Sequence, residues 1–92
     1  MSDSLVLPAR LDVAGVGDVH ARLHAVPAGA ELRVDASKVT LMGALGAQLL
    51  LSAGKTARNA GGTLDLIDVS ERAVEQLADM GLTPEILMEG AT

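Results

Sequence analysis

No phenylalanine, tyrosine, tryptophan or cysteine occurs in this chain of 92 residues, although 49% of them are hydrophobic. Without aromatic rings there is no platform on which the bases of single-stranded nucleic acid could stack. Without cysteine there is no disulfide, no thiolate nucleophile and no Cys-ligated zinc. That usage fits a cytoplasmic protein, and cytoplasmic is the expected location. No apolar run approaches the roughly 18 residues that span a bilayer, so direct membrane insertion is not expected. The opening Met1-Ser2-Asp3-Ser4 lacks the basic start and long apolar stretch of a secretory signal. A P-loop is missing as well, because no glycine-rich stretch ends in Gly-Lys-Ser/Thr.

What is present is an aliphatic core in waiting. Leu, Val, Ile, Met and Ala must fill the interior, and such side chains pack densely without partners for polar tips. Ninety-two residues suffice for one domain. It is expected over residues 4–88, with 1–3 and 89–92 as flexible ends. The net charge of −5 is unevenly placed. From Asp65 onward seven acids face one base, a net of −6, while the first 64 residues carry +1. Phosphate contacts need Lys and Arg, so nucleic acid is not an expected partner. An acidic end suits a basic protein surface instead.

Leu5 and Leu7, then Leu11 and Val13, alternate with their neighbours and predict strands over 4–7 and 9–13, with Pro8 at an edge or bend. Val16, Val19, Leu23 and Val26 recur at helical spacing and predict a helix over 16–25, stopped by Pro27-Ala28-Gly29. Residues 31–35 alternate again as a strand. A polar turn and the apolar run Val39–Met42 lead to Gly43-Ala44-Leu45-Gly46, and from there the chain favours helix to about Asn59. Its apolar face is Leu45, Leu49, Leu50, Ala53 and Ala57, widened by Ala47 and Leu51. Asn59-Ala60-Gly61-Gly62 ends that helix. A strand follows through Leu64, Leu66, Ile67 and Val69. Ser70 is a helix N-cap with Glu71 in the first turn, and Val74, Leu77, Ala78 and Met80 are the apolar face. Gly81-Leu82 reads as a Schellman stop. Pro84–Leu87 reads as a short final strand or an extended tail. The order is β-β-α-β-α-β-α-(β), an α/β fold with three or more helices on a mixed sheet of about four to five strands, whose first two strands could run antiparallel.

This ordered set resembles the STAS family of sulfate-transporter and anti-sigma-factor-antagonist domains. The resemblance runs from Leu5 to Leu87. It is carried by Val34-Asp35-Ala36-Ser37-Lys38-Val39-Thr40-Leu41-Met42, by Ala57-Arg58-Asn59-Ala60-Gly61-Gly62-Thr63-Leu64, by Val69-Ser70-Glu71-Arg72-Ala73-Val74 and by Met80-Gly81-Leu82. In anti-sigma-factor antagonists the central helix opens with Asp-Ser-Ser-Gly, and a serine there is phosphorylated by a partner kinase. Phosphate adds about −1.5 to −2 charges at a docking surface. Here the matching stretch is Gly43-Ala44-Leu45-Gly46, in which only Gly46 agrees. Ala44 stands at the phosphoacceptor position and has no oxygen to modify, so no phosphoacceptor is expected.

The resemblance therefore implies a non-enzymatic interaction module of bacterial signalling, similar to stand-alone STAS proteins of chemotaxis gene clusters. It would bind a signalling kinase or anti-sigma-like partner without phosphorylation at the usual loop. The implied contact residues are Ser37, Thr40, Met42, Gly43, Ala44, Leu45, Gly46 and Gln48. Two alternatives stand beside it: a STAS subunit of a membrane ABC transporter complex of the lipid-transport type, and a small-ligand or nucleotide-binding domain. Self-association is open for all three.

The remaining polar residues carry weaker signals. Ser52 and Thr56, with Ser37 and Thr40, are the hydroxyls nearest the expected surface and could substitute as phosphoacceptors, though each has an ordinary structural reason to exist. His20 and His24, four apart, share a helix face. No His-Glu-x-x-His pattern accompanies them and only Asp18 offers a third ligand, so they read as a solvated face, with no metal and no cofactor expected. No nucleophile–base pair emerges, and no catalytic residue is expected.

Overall fold

The computed structural model describes residues 4–26 and 29–90. Five strands and four helices follow one another among them: β1 Leu5–Val6, β2 Arg10–Leu11, α1 Val13–His24, β3 Glu31–Asp35, β4 Leu41–Met42, α2 Ala44–Asn59, β5 Thr63–Ile67, α3 Glu71–Asp79 and α4 Pro84–Glu89. The α/β class stands, and the alternation of strands and helices produces it. The expected pairing changes in two respects, since the strands form two sheets and not one mixed sheet, and no pair among the described residues is antiparallel. All pairing in these sheets is parallel: β3 lies between β1 and β5 in one sheet, and β2 pairs with β4 in a second. The first two strands do not pair with each other. Pro8 interrupts the chain between them, and β2 departs to a partner of its own, so no antiparallel hairpin forms.

The interior is aliphatic throughout. Leu7, Leu11, Leu50, Leu77, Leu87, Val19, Val34 and Val39 are its largest fully buried side chains. Alternation in β3 and β5 works as the period of a strand requires, sending Leu32, Val34, Leu64 and Leu66 inward. No polar side chain is buried in the described core, so its stability rests on packing rather than internal polar pairs.

Helix α1 starts three residues earlier than the periodicity suggests. Asp12 accepts the first helical bonds from the Gly15 and Val16 amides. Gly15 looks like a breaker but is needed within the helix, because a Cβ there would collide with the Arg10 carbonyl. Of the stop expected after it, Pro27 and Ala28 lie outside the described residues.

The last element is a helix and not a strand. Thr83 Oγ1 accepts from the Ile86 amide at 3.2 Å, Pro84 occupies the first turn, and Gly90 closes the helix at φ +67°. A threonine cap followed by proline is a helix start, and the four residues Pro84-Glu85-Ile86-Leu87 are too short a stretch to show it by period. Helix α4 packs on α2 and β5, with Leu87 buried. It lies so close to α2 that a Cβ at Gly54 would strike the Leu87 carbonyl. Glu89 and Gly90 thus belong to this helix and its cap. Of the expected flexible ends, 1–3, 91 and 92 lie outside the described residues.

Helix α3 keeps its expected cap and stop. Ser70 Oγ accepts from the Ala73 amide at 3.1 Å, and the Leu82 amide returns to the Leu77 carbonyl at 2.8 Å past Gly81 at φ +76°. Its buried face is rotated from the expected one. Ala73 and Leu77 are buried, whereas Val74 is 41% exposed.

Candidate functional site

The opening of α2 is built on β4, a two-residue strand held on both edges. On one edge the Leu41 amide donates to the Ala9 carbonyl at 3.1 Å and the Gly43 amide to the Leu11 carbonyl at 3.0 Å. Alternation turns the Met42 amide and the Thr40 carbonyl the other way, where no strand is present. There the side-chain amide of Gln76, from α3, takes a strand's place. Its Oε1 accepts from the Met42 amide and its Nε2 donates to the Thr40 carbonyl at 3.0 Å. Two further bonds fix the approach to β4. Ser70 Oγ donates to the Val39 carbonyl at 2.6 Å, and Thr40 Oγ1 donates to the Ala9 carbonyl at 3.1 Å.

Helix α2 begins with Gly43 as its N-cap, in extended backbone and with no side chain to accept from the first turn. The next residues divide sharply. Ala44 and Leu45 face outward, Leu45 at 54% exposure, while Gly46 and Ala47 are buried. Gly46 shows why. A Cβ on it would lie 2.5 Å from the Leu11 carbonyl oxygen and 2.6 Å from Leu11 Cγ. The helix crosses β2 at a distance only glycine permits.

The expected contact residues therefore fall into two groups. Thr40, Ala44, Leu45 and Gln48 are exposed and Gly43 is partly exposed. Leu41, not singled out by sequence, joins them at 36% exposure. Met42, at 3%, and Gly46 are buried, so the Met42 side chain supports the surface from below and Gly46 lets the helix backbone close on Leu11. Ser37 is exposed in the turn after β3, where its amide donates to Asp35 Oδ1 at 2.8 Å. Bonds from the Ser37 hydroxyl and amide hold the Asp35 carboxyl below its ordinary range, with Lys38 adding a smaller pull. Ser52 and Thr56 sit farther along α2. Ser52 is about 12 Å along the helix axis from Ala44 at the usual rise per residue, beyond the opening turn. They line a separate groove between α1 and α2 with His20 and His24.

Sequence reasoning missed Gln76. A glutamine between Glu75 and Leu77 on an amphipathic helix reads as a solvated residue, and no local pattern reveals a bond to a strand 34 positions earlier.

The family model described as Mlab, STAS domain, matches residues 2–87. The chain belongs to the STAS family. Neither the curated proteins nor the solved structures gave a significant match. STAS domains are generally binding modules that interact with other proteins, and membership suggests a protein-interaction role of the anti-sigma-factor-antagonist kind. Among the described residues, no helix is long and apolar enough to cross a membrane.

Proposed function

We propose that this STAS domain docks on a protein partner through the first turn of α2 and the strand that precedes it, and that it does so without a phosphorylation switch at that turn. The observation that carries the reading is the outward position of Ala44 and Leu45 on a rigidly held helix start. An exposed leucine beside a residue without a hydroxyl offers apolar contact area and nothing for a kinase to modify. Thr40, Leu41, Gly43 and Gln48 complete the contact surface, with Ser37 at its margin. The partner is a signalling kinase or an anti-sigma-like protein of a bacterial pathway, of which chemotaxis is one candidate. The domain acts by occupancy and not by catalysis.

The test is affinity capture with the wild-type domain and with Ala44→Glu, each checked for native circular dichroism. A carboxylate placed on this turn, in an apolar contact, is expected to abolish capture of a kinase-type partner. Equal capture by both proteins refutes the surface. Recovery of a membrane permease in place of a kinase, again lost in Ala44→Glu, selects the transporter-subunit reading over the signalling one.

A further inference from the structure

We propose that His20 and His24 form a two-imidazole chelate for a single divalent transition-metal ion of the Cu2+, Ni2+ and Zn2+ class, at the mouth of the groove between α1 and α2. The two residues lie one turn apart on α1, and their rings converge. The Nε2 atoms are 3.1 Å apart and the rings meet edge to face with centroids separated by 4.3 Å. Two metal–nitrogen bonds of about 2.0–2.1 Å, the usual length for imidazole, would close on nitrogens at that spacing with an angle of about 95–100° at the metal. That value lies between the cis angle of a tetragonal site and the angle of a tetrahedral one, so the separation of the two nitrogens suits one shared ion and only the ring orientations need adjust. When both rings are neutral, one donates its Nε2–H to the other; binding an ion through both Nε2 atoms requires the donor ring to shift that proton to its own Nδ1 through solvent, with no net loss of a proton from the pair.

The surroundings favour an open, partly hydrated site. Both histidines are exposed. They line a groove of about 470 Å³ whose opposite wall carries the Ser52 and Thr56 hydroxyls of α2. Asp18 does not gather with the two rings and lies near Arg22 instead, at 3.9 Å. Among the described residues no group of three or more His, Asp or Glu gathers to hold an ion, so the chelate is bidentate. Imidazole donors and the order of divalent affinities make Cu2+ the tightest of the class.

The experiment titrates the full chain with each ion alone, CuSO4, NiCl2 and ZnCl2, by calorimetry, and follows the two imidazole C–H signals by NMR during the ZnCl2 titration. The expected result is one equivalent bound, Cu2+ most tightly, with both histidine signals shifting together. Losing either ring removes the intramolecular second bond, so His20→Ala and His24→Ala should each weaken binding by at least about tenfold. The paired change His24→Ala with Ala25→His keeps two histidines but moves one off the shared face, and it should bind no better than His24→Ala. Wild-type affinity in either single variant, a Zn2+ shift in one ring only, or full binding by the displaced pair overturns the chelate. Both positions are exposed, so the variants fold and the result bears on the site alone.

Discussion

Removing the side-chain amide of Gln76 should loosen the site without touching it. In Gln76→Ala the Met42 amide loses its partner at a part-buried position, and the Thr40 carbonyl loses a donor but remains open to water. An unsatisfied donor costs about 1–3 kcal/mol, and the exposed second bond is worth about 0.5–1.5 kcal/mol net before water replaces it. The expected loss is about 1.5–3 kcal/mol. For a domain of this size each kcal/mol moves Tm by about 4–8 °C, so thermal unfolding should shift down by about 6–24 °C. Gln76→Met keeps the side chain's volume and strips both bonds, which separates hydrogen bonding from packing; it should lose nearly as much as alanine. Native-state hydrogen exchange supplies the local readout. The Met42 amide should exchange faster in both variants by more than the global loss explains, while amides of β3 and β5 follow global stability alone. An unchanged Met42 exchange rate relative to those strands, with Tm within about 2 °C of wild type, refutes the reasoning that Gln76 stands in for a strand.

Gly46→Ala gains helix propensity but drives a methyl into Leu11, so it should destabilise the fold by about 1–3 kcal/mol in urea titration. Asp35 is held below its ordinary value of 3.8. Its contribution to stability is therefore present above that pH and lost as pH falls through the lowered folded value. The stability gap between wild type and Asp35→Asn, read from urea midpoints, should be constant near neutrality and close on acidification below about pH 3.8. Asp68 occupies the left-handed region at φ +52°, where a β-branched side chain is strained. Asp68→Val should cost about 1–2 kcal/mol by thermal unfolding, and Asp68→Gly should be neutral or stabilising.

The parts of the fold that were legible in the sequence are those whose signals are local. Leu32, Val34, Leu64 and Leu66 alternate and are buried as strands. The Ser70 cap and the Gly81-Leu82 stop depend on single residues at fixed offsets, and both form as expected. What escaped depends on contacts distant in sequence. The phase of α3 follows from its packing on β4, which buries Ala73 and turns Val74 out, a choice that apolarity alone does not make. Gly15 and Gly54 look like helix breakers, yet they sit inside helices because backbone from other elements passes over them. At the candidate site the loop was legible by resemblance. Its division into exposed and buried members was not, since Met42 and Leu41 are equally apolar and differ only in which side of a two-residue strand they occupy.

The motif Gly43-Ala44-Leu45-Gly46 separates two demands that sequence comparison merges. Gly46 answers to the scaffold: Leu11 lies where its side chain would be, and any larger residue displaces α2 from β2. Ala44 and Leu45 face solvent and constrain nothing beneath them. The position at which this chain resembles the antagonist pattern is thus the one its packing requires, and the two positions that stand against the pattern's serines are those its packing leaves open. A change confined to open positions alters what the surface presents while the architecture stays intact. On the proposed docking surface, exchanging Ala44 should therefore redirect binding at little cost to stability, and exchanging Gly46 should do the reverse.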